Sequence, residues 1–456
     1  MKKIFSFLII LTVLLSSVFS VNANAAYTKE MEEMELYSEC VLLVSADNGE
    51  VIFDKHAGKQ TAPASLTKVI TSIVVLENCP DLNAVVTMPE SCIKELSGTG
   101  SSLGGIKAGE SLRVYDLLAY LLIMSANEAA NCLADYVSNG DRAKFVEMMN
   151  KVAEDLGCKD SHFVNPHGLD DDDQYITARD MAKFLTRALE FPAFKEITSR
   201  NSYTVAETNM QKERTLVSTN YMLNSAYKDY YCKYVKGGKT GTTSKAGRCM
   251  AAYASKDGYN YICIALNSTF YDVDKDGVNE NGAFLDCKEM LEWTYQNIEL
   301  VPICDINQIV AQLPVKYAKN TDYVTLSPEE TVYSLVPKGT DSSSLLVEIV
   351  EGTAPEILKA PVKKGDVVCR GRVLYAGNVI KEINLISNTD AKMSVFSFIG
   401  STAKSIFSSW IFRIIAILVI AALVILVIKK KNDGSGGSKK KKGYQILNYN
   451  DFIKTK

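Results

Sequence analysis

Ser65 and Lys68 stand three residues apart at the opening of a run, Leu66 through Leu76, that is apolar on nearly its whole circumference. Val69, Ile70, Ile73 and Val74 leave no broad polar stripe, so the helix this run predicts belongs inside a domain rather than on its surface. Residues three apart on a helix project from one face, a single turn from each other. The serine and the lysine therefore go into the interior together, where an unpaired ammonium is strongly disfavoured. Burial lowers a lysine's pKa, and a neutral amine can take a proton from a neighbouring hydroxyl. As structure alone the arrangement is costly; as a reactive pair it makes sense.

Two further motifs follow in order. Ser125-Ala126-Asn127 lies between two helical patterns, Val114–Met124 and Glu128–Val137. Taken singly it reads as a helix N-cap, but in a tight connection residues i and i+2 can point the same way. Lys239-Thr240-Gly241 follows Tyr234-Val235-Lys236-Gly237-Gly238, where glycine lets a backbone or ligand approach a strand closely. The next runs, Cys249–Ala254 and Tyr259–Leu266, flank Asp257-Gly258, a strong hairpin signal. The third motif therefore sits on a strand of an antiparallel sheet. An N-terminal hairpin, Cys40–Ser45 and Val51–Lys55 about Asp47-Asn48-Gly49, is expected to join it. Each motif is common by itself. Together, as S-x-x-K, S-x-N and K-T-G in fitting contexts, they point to a serine acylated by D-Ala-D-Ala peptides or β-lactams.

Longer stretches carry a family resemblance. They include Thr61–Lys68, Ala108-Gly109-Glu110-Ser111-Leu112, Phe163–Leu169, Ile176–Ala182, and Lys236–Thr243 continuing into Lys245-Ala246-Gly247. In these the chain, from about Glu39 to Ile386, resembles the low-molecular-mass penicillin-binding proteins, the serine-type D-alanyl-D-alanine carboxypeptidases. The resemblance implies an α/β fold, a transpeptidase/β-lactamase-like antiparallel sheet flanked by helices, plus a small all-β C-terminal domain. It implies peptidoglycan stem peptides ending in D-Ala-D-Ala as substrate, β-lactam antibiotics as inhibitors, and no cofactor. Ser65 is then the nucleophile, Lys68 its base and Ser125 the proton relay. Asn127, Lys239, Thr240, Gly241 and Thr242 bind substrate, with the backbone N–H groups of Ser65 and Thr242 holding the oxyanion.

The ends of the chain place it at a membrane. Lys2 and Lys3 precede an apolar run, Ile4–Phe19, and then Ala23-Asn24-Ala25, the pattern of a signal peptide cut after Ala25. Near the C-terminus, Ile414–Ile428 has no charged or strongly polar residue but spans only about 22 Å, short of the ~30 Å hydrocarbon core. Starting at Ile406 gives about 34 Å, with Ser408, Ser409 and Trp410 near the outer interface and Arg413 close enough to snorkel. Lys429–Lys431 and Lys439–Lys442 mark the cytoplasmic side and suit anionic lipid. The expected layout is a signal peptide (1–25), a carboxypeptidase domain (26–300), an all-β sandwich (301–390) and a linker (391–405). A transmembrane helix (406–428) and a flexible basic tail (429–456) complete it. The catalytic domain is then extracellular, held at the cell membrane.

Within Val301–Ser387, the β-type runs Tyr323–Leu326, Val332–Val336, Leu345–Ile349 and Val367–Leu374 alternate with turns and carry no catalytic constellation. A net charge of −3, with no basic cluster in the folded part, excludes nucleic acid as a natural partner. Eleven cysteines in an exported chain would suggest disulfides, but they are odd in number, scattered, and partly embedded in apolar patterns (Cys132, Cys249, Cys263). Free buried thiols are the favoured reading. Asp170–Asp173 reads as a solvated loop. Asp272–Gly277 copies the start of a calcium loop, yet Ala283 stands where the bidentate Glu belongs. A polar turn is favoured there over a site completed by Asp286. His56, His162 and His167 form no helical metal pair, so no metal site is expected; His167 is read as ordering its loop. A β-lactamase is disfavoured by the extra β-domain, the anchor, and the lack of an evident E-x-x-L-N segment.

Overall fold

The structure, a computed structural model, describes residues 30–31, 33–272, 279–340, 345–375 and 378–434. The expected signal peptide, most of the calcium-like loop and the tail beyond Gly434 lie outside the described residues.

Five antiparallel strands organise the first unit: β1 (Ser38–Ser45), β2 (Val51–Lys55), β3 (Val235–Thr243), β4 (Gly247–Lys256) and β5 (Tyr259–Ser268). Their spatial order is β2-β1-β5-β4-β3, so the N-terminal hairpin joins the later strands through β1 and β5. Asp257 and Gly258 both take positive φ, as a tight two-residue hairpin turn requires. Strand side chains alternate between faces, and here both faces are buried. Cys40, Leu42, Ala251, Ile262, Ile264 and Leu266 join a helical core on one side. Val41, Leu43, Met250, Ala252, Tyr261 and Cys263 face helix α6 (Gly282–Asn297) on the other.

The first core is built by α1 (Thr67–Asn78), α2 (Val114–Leu122), α3 (Asn127–Ser138), α4 (Arg142–Asp155) and α5 (Ala178–Ala188). Every residue of α1 from Thr67 to Val75 is buried, as its all-round apolar character predicts. Its interior hydroxyls are satisfied locally: Thr71 Oγ1 donates to the Pro166 carbonyl (2.6 Å) and Ser72 Oγ to that of Val69 (2.7 Å). Helices α4 and α5 begin at side-chain caps, Asp141 and Thr177.

Asp286 on α6 is fully buried, and its two oxygens accept the backbone N–H groups of Tyr37 (2.9 Å) and Ser38 (2.7 Å). It ties the start of β1 to the helix. All eleven cysteines are free and buried.

The first unit also includes Thr331–Glu348 and Arg372–Glu382. Within it β6 (Ile298–Cys304) pairs antiparallel with β9 (Val332–Pro337). The second unit, made of Asp305–Glu330, Ile349–Gly371 and the described residues from Ile383 on, is a β structure followed by helices. In it β7 (Ala311–Lys316) pairs antiparallel with β8 (Tyr323–Pro328) and parallel with β10 (Leu358–Lys359). Strand β8 also pairs antiparallel with the end of β11 (Asn378–Ser387). Val324, Leu326 and Leu385 form its dry centre. Helices α7 (Val395–Ser408) and α8 (Trp410–Gly434) follow, separated at Ser409. The 22 residues Trp410–Lys431 are long and apolar enough to cross a membrane.

Candidate active site

The turn preceding α1 sets the site. Pro63 leads into a single 3₁₀ turn, Ala64–Leu66, that carries Ser65. Ala64 holds φ at +47°, a left-handed conformation costly for a residue with a Cβ. One turn on, Lys68 is fully buried. Its Nζ lies 2.8 Å from Ser65 Oγ, 2.7 Å from Asn127 Oδ1 and 2.6 Å from the His167 carbonyl oxygen. Burial, and secondarily the charge of Lys239, holds its pKa well below the usual lysine range, with Glu128 opposing. In its neutral form, which burial favours, the amine has two N–H groups and one lone pair. Asn127 Oδ1 and the His167 carbonyl can only accept, so they take the two hydrogens. The lone pair is left for the Ser65 hydroxyl.

The other two motifs meet each other across the cleft. Ser125 sits between α2 and α3 with φ at +63° and is nearly buried. Lys239, on β3 and 1% exposed, donates from Nζ to Ser125 Oγ and to the Thr240 carbonyl, both at 2.9 Å. Burial pushes its pKa down to about 7. Thr240 Oγ1 lies 2.7 Å from Thr219 Oγ1, and an Arg248 guanidinium nitrogen donates to Thr242 Oγ1 (3.3 Å). A Cβ at Gly241 would come within 3.3 Å of the Ser65 nitrogen and 3.1 Å of Ala64 Cβ. Glycine there lets β3 pass directly against the nucleophile turn.

The loop before α5 closes the site from behind. Asn165 Oδ1 accepts the N–H of Gly168 (2.7 Å), and Gln174 Nε2 donates to the Leu169 carbonyl (3.0 Å). His167 Nδ1 accepts the Leu169 N–H (3.2 Å), and burial pushes the ring's pKa down to about 3, so the imidazole is neutral. At Gly168, φ is +93° and a Cβ would fall 1.8 Å from the Ala64 carbonyl oxygen. Glu128, buried beside Asn127, accepts the Gly104 N–H (2.6 Å) and so anchors the segment at the cleft mouth.

The structure thus brings Ser65, Lys68, Ser125, Asn127, Lys239, Thr240, Gly241 and Thr242 to one cleft. Its cavity, about 230 Å³, is lined by Ser65, Asn127, Thr99–Ser102, His167–Asp170 and Thr242–Ser244. A larger cavity of about 660 Å³, lined in part by Leu42, Val44, Arg179 and Arg187, contains none of the motif residues. Sequence reasoning did not find the His167 carbonyl, Thr219, Arg248 or Glu128 as parts of the site. Asp170 is exposed, as the solvated-loop reading expects, and it also borders the cleft and accepts a hydrogen bond from Thr243 Oγ1 (2.7 Å). Among the described residues no group of three His, Cys, Asp or Glu side chains converges as a metal site would require.

Comparisons with known proteins point to one family. A sequence profile described as D-alanyl-D-alanine carboxypeptidase matches residues 26–269, and one described as penicillin-binding protein 5, C-terminal domain, matches residues 299–393. The D-alanyl-D-alanine carboxypeptidase DacF of Bacillus subtilis is 28% identical over 397 residues, covering 87% of this chain and 96% of that protein. DacA of Haemophilus influenzae is 27% identical, covering 86% and 98%. The solved structure of penicillin binding protein 5 from Haemophilus influenzae superposes with a TM-score of 0.64 at 26% identity, covering 79% of this chain and 98% of that one.

Gly168→Ala should disrupt the Lys68 cradle, because its Cβ collides with the backbone of the nucleophile turn. Labelling by a fluorescent penicillin should fall at least tenfold while far-ultraviolet circular dichroism stays close to the wild type. Labelling at the wild-type rate would show that the close approach is not needed.

Proposed function

The chain belongs to the D-alanyl-D-alanine carboxypeptidase family of low-molecular-mass penicillin-binding proteins, and from that premise we propose that it removes the terminal D-alanine of peptidoglycan stem pentapeptides through an ester on Ser65. The observation that carries this reading is the fully buried Lys68 amine, whose Nζ lies 2.8 Å from Ser65 Oγ.

The steps follow from charge. The substrate ends in a carboxylate beside the scissile amide, and Lys239 supplies the cation for it, with the Thr240 hydroxyl adding a hydrogen bond. Ser65 Oγ attacks the amide carbon as Lys68 Nζ accepts its proton. The backbone N–H groups of Ser65 and Thr242 stabilise the developing oxyanion, while Asn127 holds the peptide's amide backbone. The C–N bond breaks, the proton that Lys68 took passes by way of Ser125 to the departing amine, and D-alanine leaves. Water then cleaves the ester, releasing the shortened peptide and restoring Ser65. A β-lactam meets the same serine, but its cleaved amine stays tethered, so the ester persists.

Ser65→Ala should abolish both D-alanine release and penicillin labelling; a variant that still labels at the wild-type rate removes Ser65 as the nucleophile. Lys68→Ala should also lose acylation yet remain folded. It leaves no buried charge behind, although the Asn127 and His167 oxygens lose their donor, at about 1–3 kcal/mol.

The two lysines also dictate a pH profile. Lys68 must be neutral, so kcat/KM rises with pH through its lowered pKa. Lys239 must be charged, so kcat/KM falls through its own pKa of about 7. A bound carboxylate favours the charged form, so the falling limb of kcat should lie at higher pH than that of kcat/KM. Coincident falling limbs would mean that Lys239 does not hold the carboxylate.

For location, the reading is a catalytic unit outside the cell membrane, with Trp410–Lys431 spanning the lipid and the lysines after it facing the cytoplasm. Protease added to intact protoplasts should remove the catalytic unit and spare a C-terminal epitope. A protected catalytic unit would reverse the topology.

A further inference from the structure

A further cavity, of about 490 Å³, borders the Lys68 cradle where α3, α4 and the loop before α5 meet. That volume suits a small-molecule ligand. None of the motif residues lines it, so the reaction at Ser65 does not account for it. His167 lines both this cavity and the catalytic cleft, and its carbonyl oxygen is a partner of Lys68.

The wall carries hydrogen-bonding capacity that the chain itself leaves open. Asn131 is 1% exposed and lies one helical turn from Asn127 on α3. Its Nδ2 donates to the Cys92 carbonyl (3.2 Å), which fixes the amide and leaves Oδ1 without a partner. A buried acceptor is seldom left so in a native interior. His167 offers the complement. Its Nδ1 accepts the Leu169 N–H, so the neutral ring carries its hydrogen on Nε2, which has no partner among the described residues.

Charge adds a sign. Arg142 is the one lysine or arginine on the wall, and it is already shared between Asp135 (2.5 and 2.9 Å) and Glu95. Glu147, exposed at the same wall, forms no ion pair among the described residues. An open acceptor, an open donor and an unpaired carboxylate around one cavity match a ligand with an ammonium and a neighbouring oxygen.

We propose that this cavity is a regulatory site for a small organic ammonium bearing a hydroxyl or carbonyl oxygen beside it, such as an amino sugar or an amino acid amide. Lys68 already feels the charges of Lys239 and Glu128. A cation held beyond His167 adds to the effect of Lys239 and favours the neutral amine, so an occupied cavity speeds acylation of Ser65 at mildly acid pH. That consequence rests on the carboxypeptidase reading above.

The test titrates the detergent-solubilised full chain with glucosamine and with glycinamide, each beside its N-acetylated counterpart. Saturation-transfer NMR reads binding, and fluorescent penicillin reads acylation. A free amine should bind saturably where its acetylated form does not, and labelling at mildly acid pH should rise about threefold as it saturates. The arm that saturates, sugar or amide, identifies the source of the ligand. Glu147→Gln should weaken binding about fivefold while leaving unliganded labelling unchanged. Asn131→Leu, which removes the open acceptor, should abolish binding. Binding of no probe, or binding that survives both variants, overturns the site; should Asn131→Leu fail to fold, Glu147→Gln still decides. Saturable binding with unmoved labelling overturns the regulatory role. A wild type that penicillin does not label at all would instead overturn the carboxypeptidase reading, while the binding arm still tests the cavity.

Discussion

One buried amine holds the site together. Lys68 Nζ is shared by a hydroxyl from its own helical turn, a side-chain amide from the start of α3 and a main-chain carbonyl from the loop before α5. These three segments are far apart in sequence. An amine without partners in this interior would be strongly unfavourable, so the packing that buries Lys68 also fixes the three segments against one another. Reactivity and architecture thus come from the same contact. The apolar helix that makes the lysine unwelcome as a cation also keeps it available as a base.

The second lysine completes the logic by being different. Both amines are buried in one cleft, and two like charges so placed would repel. Lys68 yields its proton more readily because it feels both burial and Lys239; Lys239, pushed down only to about 7, keeps its proton longer. The sheet makes this possible. Strand β3 is an edge strand, and glycine at 241 lets it approach the Ser65 turn to within van der Waals contact. A bulkier residue there would push the strand of Lys239 away from the helix of Lys68.

What could be read from the sequence was whatever has a local signature. The three-residue spacing of Ser65 and Lys68, the all-round apolar α1, the Asp257-Gly258 turn and the alternating strands each leave a pattern in neighbouring residues, and each appears as expected. The four β-type runs beyond Val301 likewise appear as strands. The rest depends on contacts between distant segments. The His167 carbonyl that serves Lys68 is main chain, and any residue type presents the same oxygen. Thr219 and Arg248 matter through neighbours on β3 that only folding supplies. Asp170 belonged to a run of four acids with nothing to distinguish the first from the other three, yet only the first lines the cleft. The part Asp286 plays in tying β1 to α6 left no local pattern, because its backbone partners, Tyr37 and Ser38, lie about 250 residues away.

The cysteines show how this enzyme is stabilised without cross-links. Each is buried, and burial pushes the thiols of Cys132, Cys158 and Cys249 up to about 12, where the reactive thiolate is scarce at neutral pH. Nine of them act as small apolar side chains within the two cores that sandwich the sheet, as Cys40 and Cys249 do on one face and Cys263 and Cys287 on the other. Rigidity at the cleft therefore has to come from packing and from the polar contacts of Lys68, Lys239 and the loop before α5.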